Sequence, residues 1–435
     1  MNLMISRYQV KEITDIWSDQ NKYNTWLKIE QLVTNGWAKI IKINKDDLFK
    51  INNDLKVDLN RMLEIEQETK HDVVAFTRML SEQLDNESKW IHLGITSTDI
   101  VDTAQNYLIK QSNQIVFNEL ENILKTLKTL AIEHKNTLIM GRTHGMYGEP
   151  TSLGLKFCLW YDEFLRHIKR FELARNDIEV VKISGSMGNY ANLDPQIELY
   201  VANKLNMNID SLSTQVSQRD RHIFLVEVLA NIASTLEKIS TEIRLFQRSD
   251  VNELAEGFLK NQKGSSSMPH KKNPISSENV AGLSRYIKSI VHIVLENNNL
   301  WHERDISHSS NERIYLPDIF NLIVYILKRM NETLTNLVIN KTQMLEHIKQ
   351  AKNIYFSQRV LTFILLEQPN VTRDQVYDLI QQITFKCSKN NLDFKTEVLN
   401  SKLTEFVLID KLEQLFDDQF FLRHVDYIFN RVFNK

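Results

Sequence analysis

The sequence predicts an all-α protein, with three helical domains and a central bundle of long helices. Three observations carry that prediction. Glycine and proline together supply 17 of 435 residues, about a third of the ordinary share of ~12%. A sandwich, a barrel or a doubly wound sheet needs more tight turns than so few of these residues allow. Several stretches repeat apolar residues at the three-and-four spacing of a buried helical stripe. Period-two alternation is nearly absent, so any strands should be short.

Residues 1–92 read as an N-terminal helical domain. A central domain of long helices covers 93–351. There Ile115, Leu120, Ile123, Leu124, Leu127, Leu130 and Ala131 recur at the helical period. Leu229, Ile232, Ala233, Leu236, Ile239, Ile243 and Phe246 do the same. Leu283, Ile287, Ile290, Val291 and Val294 make a third run, and the span from Ile319 to Leu337 a fourth. None of these runs contains proline, and each covers roughly 18–23 residues, or ~27–35 Å at 1.5 Å per residue. Parallel stripes of that length pack into a bundle. Such a bundle leaves apolar faces that one chain does not cover, so an oligomer is expected. Residues 352–435 hold shorter helices of a different rhythm and are read as a C-terminal helical domain.

The 53 Lys+Arg against 55 Asp+Glu give a net charge of −2, which argues against a nucleic-acid binder working through a bulk positive field. Cys158 and Cys387 are the two cysteines, too few for a disulfide framework or a zinc site. The N-terminus is too polar for a signal-peptide core. No stretch approaches ~18 uninterrupted apolar residues, so no membrane span is expected. A cytoplasmic protein of a reducing compartment is the expectation.

The densest chemical cluster runs from Lys263 through Gly264, Ser265, Ser266, Ser267, Met268, Pro269, His270, Lys271, Lys272 and Asn273 to Pro274. Its glycine, three serines and two prolines make it a loop. An exposed polar linker is the ordinary meaning of such a stretch. Against that, it carries hydroxyls, an imidazole, ammonium groups and an amide, and it leads directly to Glu278 at the start of the next helix. A second cluster, Gly141 to Gly145, flanks Thr143 and His144 with glycines, although a lone histidine is more often a satisfied structural group. A third, Glu68 to Val73, reads as helical and contains Lys70, His71 and Asp72. In the fourth, His92 to Asp99, Thr96 or Ser97 capping the next helix is the common role. None has metal-ligand spacing, and neither a phosphate loop nor a dinucleotide-binding glycine pattern occurs. No metal and no cofactor are expected.

The stretch GSSSMPHKKNP at 264–274 resembles the signature of the fumarase/aspartase superfamily, whose members eliminate fumarate from a substituted succinate. Within it the chain is most similar to the adenylosuccinate lyase family of the short bacterial type. The matching stretches are Ser6-Arg7-Tyr8, QETKHDVVAFTR at 67–78, HLGITSTDIVDTA at 92–104 and GRTHGMYGEPT at 141–151. STQVSQRDRH at 213–222 and WHERDISHSSNERIYLPD at 301–318 complete the set. Departures are small: Ser267 stands where alanine is common, Lys272 where arginine is common, and Met146-Tyr147-Gly148 differs from the usual filler. The resemblance covers essentially the whole chain. It implies three helical domains, a bundle at the core of a homotetramer, and active sites shared among three subunits.

It also implies the chemistry. Ser265, as a deprotonated hydroxyl, is the implied base that removes a weakly acidic proton beside a carboxylate. A serine needs a cation and amide donors for that, and Lys271 and the loop's own N–H groups are the candidates. His144 is the implied general acid for the leaving nitrogen, with Glu278 hydrogen-bonding its imidazole. His71 is implied to sit at the phosphate or assist the leaving group, within a substrate-binding Lys70-His71-Asp72. Thr96, Ser97, Thr143 and Asn273 would hold the succinyl carboxylates, and Gln215 would contact the substrate through its amide. Arg7, Arg304 and Arg313, with Tyr8 and Ser309, match phosphate-binding positions, for which arginine's fork is suited. If their stretch is helical, Arg304, Ser309 and Arg313 would share one face.

The implied substrates are succinyl nucleotides: adenylosuccinate, giving AMP, and the succinylated aminoimidazole carboxamide ribotide. No nucleic acid or membrane partner is expected. One competing reading is another fumarate-releasing lyase, acting on argininosuccinate or aspartate; the phosphate set discriminates against it. The other is a catalytically silent structural homologue, which should lack Ser265, His144 or Lys271.

Overall fold

The structure, a computed structural model, describes residues 4–258 and 260–434. It is 67% helical and 5% strand, so the all-α expectation holds. Five long helices dominate the span from 93 to 351: Ser97–Glu133, Leu153–Ile178, Asp220–Phe246, Ile275–Glu296 and Ser307–Thr335. The first has 37 residues, or ~55 Å at 1.5 Å per residue. Ile123, Leu127, Leu229, Ile232, Leu236, Ile239, Ile243 and Ile319 are fully buried along them. The apolar period marks four of the five but cuts them short, because their first turns are polar. It passes over Leu153–Ile178, where Phe157, Phe164 and Phe171 are buried but frequent charges break the stripe. Pro317 also lies inside Ser307–Thr335, upstream of the proline-free run; it cannot donate to the Arg313 carbonyl, and the helix continues past that missing bond.

The chain divides into two compact units. One comprises residues 1–123, 164–238 and 279–330, and the other 124–163, 239–278 and 331–435. In the first, Asp19–Ile40, Leu59–Thr69, Asp72–Ser81 and Pro195–Leu205 pack on a core that includes Trp26, Ile29, Val33, Phe76 and Ile197. Trp26 and Phe76 meet edge to face at 5.4 Å. In the second, the C-terminal helices enclose Phe356, Val360, Ile364, Phe394 and Leu412, joined by Leu138 and Met140.

The longest strands form one antiparallel hairpin in the second unit, β1 (Leu138–Thr143) and β2 (Met146–Ser152); the other strands have two residues each. Gly141 is obligatory within it, since a Cβ there would lie 2.6 Å from the Glu149 carbonyl oxygen. The expected helix over residues 68–73 is a break instead. Lys70 adopts a left-handed conformation that ends Leu59–Thr69, and His71 caps the next helix by accepting from the Val74 N–H at Nδ1. A cap with a local side-chain acceptor satisfies a free N–H as well as another helical turn would.

Candidate functional site

In the first unit the polar starts of two helices face a cavity of about 580 Å³. Arg304, Ser309 and Arg313 line it, but not as one helical face: the helix begins at Ser307, and Arg304 reaches the cavity from the preceding turn. The Arg304 guanidinium donates to Gln215 Oε1 at 3.1 Å, and the Gln215 carbonyl accepts from the Thr98 hydroxyl. Arg313 donates to Asp72 Oδ2 at 2.6 Å. Burial favours the neutral form of Asp72, but the Arg313 guanidinium outweighs it and holds this carboxyl below its ordinary value. Met4 and Gln9 line the cavity on either side of Arg7 and Tyr8. Asn279 Nδ2 donates to the Tyr8 hydroxyl at 3.4 Å, while Arg7 is exposed. His71 is half exposed, its Nδ1 3.7 Å from Asp72 Oδ1. Thr96 precedes the Ser97–Glu133 helix, and its N–H donates to Asp99 Oδ2 at 2.7 Å at the helix start.

Three further charged residues in the cavity wall escaped the motif reading. Arg219 forks onto Asp102 at 2.9 and 3.1 Å and onto Glu312 at 2.8 and 3.1 Å. All three are nearly inaccessible to solvent. Burial opposes the Asp102 charge, yet Arg219 and the Ser217 N–H hold it down at about 2, whereas for Glu312 burial prevails and pushes the carboxyl up. All three lie inside matched motifs, but the resemblance gave none of them a role. Each sits among other polar and charged residues, so nothing local in the string sets it apart, and their partners are far away in sequence.

His222 and His308 lie buried beside this network. Burial first, and then the Arg219 charge, lowers His308 to about 4 and His222 well below the ordinary histidine value. Unfolded, both titrate near ~6.5, so below that pH the unfolded chain takes up protons that the folded chain refuses. This stabilisation is complete above ~6.5 and is lost as pH falls toward 4, with a slope of about 1.4 kcal/mol per pH unit per histidine. Urea unfolding of wild type and His308→Leu between pH 7 and 4.5 should show the shallower slope in the variant. Equal slopes would remove His308 as a source.

The second unit holds the remaining candidates. His144 and Gly145 form the two-residue turn of the hairpin, with φ of 55° and 77°, the positive pair that a type I′ turn requires. The turn leaves His144 exposed, next to Thr143. The loop of residues 263–274 carries Ser265, Lys271 and Asn273. Gly264 lies against its far end, where a Cβ would meet the Lys271 carbonyl oxygen at 2.2 Å, and Asn273 Nδ2 donates to the Gly264 carbonyl at 2.9 Å. Ser265 Oγ accepts from the N–H groups of Ser267 and Met268, at 3.4 and 3.1 Å. Donors aimed at a hydroxyl oxygen favour its deprotonated form. Glu256 accepts from the N–H groups of Ser276 and Ser277 at 3.1 and 2.6 Å, anchoring the helix start that bears Glu278. Glu278 and His144 are both exposed and share no hydrogen bond among the described residues.

The candidates therefore fall into two sets: cations and amides around a cavity in one unit, and an imidazole, a serine loop and a carboxylate in the other. Among the described residues no group of histidine, cysteine, aspartate and glutamate could hold a metal ion, and no helix is long and apolar enough to cross a membrane.

A family model described as lyase matches residues 6–288, and one described as adenylosuccinate lyase C-terminus matches 353–432. The adenylosuccinate lyase of Streptococcus mutans is 46% identical over 430 residues, covering 99% of each chain. That of Bacillus subtilis is 44% identical with the same coverage. Among solved structures, a fumarate lyase from Mesorhizobium sp. BNC1 superposes with a TM-score of 0.87 at 20% identity, covering 98% of both chains. A 3-carboxy-cis,cis-muconate lactonizing enzyme from Pseudomonas putida gives 0.87 at 19%, covering 99% of this chain and 98% of that one. These last two speak for the fold alone, whereas the full-length curated relatives speak for the family. On that basis the chain belongs to the adenylosuccinate lyase family.

Proposed function

We propose that this protein cleaves adenylosuccinate to AMP and fumarate, and the succinylated aminoimidazole carboxamide ribotide by the same elimination. The observation that carries the reading is the arginine-lined cavity, in a chain whose full-length relatives bear the name of that enzyme. Arg304 and Arg313, with Ser309, hold the phosphate, and Arg7 and Tyr8 close over it. Gln215 contacts the substrate through its amide, and Lys70, His71 and Asp72 flank the nucleotide. Thr96, Ser97, Thr143 and Asn273 hold the succinyl carboxylates through neutral donors.

Ser265 removes the proton from the carbon beside a carboxylate, its oxygen supported by two N–H donors and by Lys271. The electron pair left on that carbon forms the double bond of fumarate as the C–N bond breaks. His144 gives the departing nitrogen its proton, and in the assembled site Glu278 of another subunit hydrogen-bonds the imidazole. The cation set and the acid–base set are each incomplete alone, which supports sites assembled from several subunits of a homotetramer. Apolar residues exposed on the long helices, such as Leu159, Leu173 and Ile293, support the same assembly. The division at 1–92, 93–351 and 352–435 goes with it, as does a cytoplasmic location.

Fumarate release by the purified protein, assayed with adenylosuccinate, argininosuccinate and aspartate in parallel, tests the reading. Turnover of adenylosuccinate alone is expected; turnover of only another succinyl compound would overturn it. Arg313→Met should raise KM for adenylosuccinate about 10- to 100-fold, the worth of a charged hydrogen bond, with kcat within about threefold. An unchanged KM would take Arg313 out of the phosphate site.

A further inference from the structure

We infer that Glu253 and His347 are positioning residues that hold the hairpin tip bearing His144, and so set the geometry of its proton transfer. The inference rests on the reading of His144 as general acid. All the side chains concerned belong to one compact unit.

The His144 side chain is exposed, so its direction depends on how the hairpin tip is fixed. That fixing comes through Arg142, two residues earlier. Its guanidinium donates to both oxygens of Glu253 at 2.8 Å and to its own strand's Met140 carbonyl at 3.2 Å. The hairpin register shifts between Met140 and Arg142, and a bulge of this kind re-aims a side chain beside a functional site. Tyr147, paired with Arg142 across the hairpin, lies over the guanidinium at 5.1 Å. Arg142 is thus held on its edge and on its face.

Glu253 is itself fixed. Its side chain is fully buried. Its N–H donates to the Phe246 carbonyl at 3.1 Å, and its carbonyl accepts from the Asn340 N–H at 2.9 Å. His347 completes the arrangement. Its Nδ1 lies 2.5 Å from Glu253 Oε1, and its Nε2 lies 2.9 Å from Gln343 Nε2. A neutral ring with the proton on Nδ1 satisfies both contacts, donating to the carboxylate and accepting from the amide. A buried ion pair is weak evidence for stability, because desolvation offsets most of its attraction. What two parallel bonds and a locked imidazole add is direction, and a displacement of ~1 Å at a reacting group costs about 10²-fold in rate.

A double-mutant cycle in the full-length enzyme tests this, with fumarate release measured under single-turnover and steady-state conditions. Glu253→Gln should lower kcat about 10- to 100-fold with KM within about twofold. On a His144→Asn background the same substitution should cost less than about threefold, since its effect passes through His144. The full loss persisting on that background would overturn the inference, as would an unchanged kcat in the single variant. If Glu253→Gln does not fold, the His347 pair decides instead. His347→Gln, which keeps an N–H for Glu253, should retain several-fold more kcat than His347→Leu, and equal values would overturn the inference. A His144→Asn enzyme with wild-type kcat would remove the reading of His144 and this inference with it. An impaired His144→Asn enzyme with an additive cycle removes the inference alone.

Discussion

Ser265→Ala is expected to lower kcat for adenylosuccinate by at least about 10³-fold while leaving the affinity for AMP within about threefold. A positioned general base contributes typically 10²- to 10⁴-fold, and the role proposed for Ser265 is the harder half of the reaction, because the proton to be taken is only weakly acidic. The Ser265 oxygen accepts two N–H donors from its own loop. Deleting it therefore removes a base and also frees two loop donors, and a control must show what truncating a loop hydroxyl costs by itself. Ser266→Ala provides that control, since no hydrogen bond of the Ser266 side chain occurs among the described residues. It should keep kcat within about fivefold. Binding is measured by titration calorimetry with AMP, whose proposed phosphate site lies in the other compact unit. A Ser265→Ala enzyme that still releases fumarate at more than a tenth of the wild-type rate would take Ser265 out of the base role.

The fold class was open to reading because it rests on local signals: scarce glycine and proline, and apolar residues at a fixed period. The same signals failed where function intrudes. Ser307–Thr335 begins twelve residues before its apolar run, since its first turns present Ser309, Glu312 and Arg313 toward a cavity. The break at Lys70 and His71 was hidden because it depends on a left-handed residue and a histidine cap, neither of which has a composition of its own. The hairpin carrying His144 was visible only as two glycines around a Thr-His pair. Most candidate residues came from long motifs shared with a family, and those motifs say which residues matter without saying what holds them. The supporting contacts join Arg219 to Asp102 and Glu312, and Glu253 to Arg142 and His347, across 93 to 117 positions of sequence. No spacing rule reaches that far.

Arg219→Met should destabilise the fold by about 3–5 kcal/mol, the cost of breaking a buried ion network by removing one partner. Arg219 makes two bonds to each of two buried carboxylates and one to the Ser217 carbonyl at 2.7 Å. Methionine fills a similar volume but leaves Asp102 and Glu312 facing each other without a cation. Restoring neutrality should recover most of the loss, so Arg219→Met with Asp102→Asn and Glu312→Gln is expected to lie closer to wild type than the single variant does. The pH dependence separates charge from packing. In the wild type Asp102 is held at about 2, below its ordinary value near ~3.9. Its contribution is therefore full above ~4 and is lost as pH falls through about 2. Without Arg219 that depression disappears, so the deficit of Arg219→Met should be largest near pH 7 and narrow as pH falls below ~4. Urea unfolding at one fixed protein concentration measures it, since an oligomer's apparent stability depends on concentration. A deficit constant from pH 7 to 3, or a triple variant as unstable as the single one, would mean that Arg219 acts through its packed volume, and the charges around it would need another account.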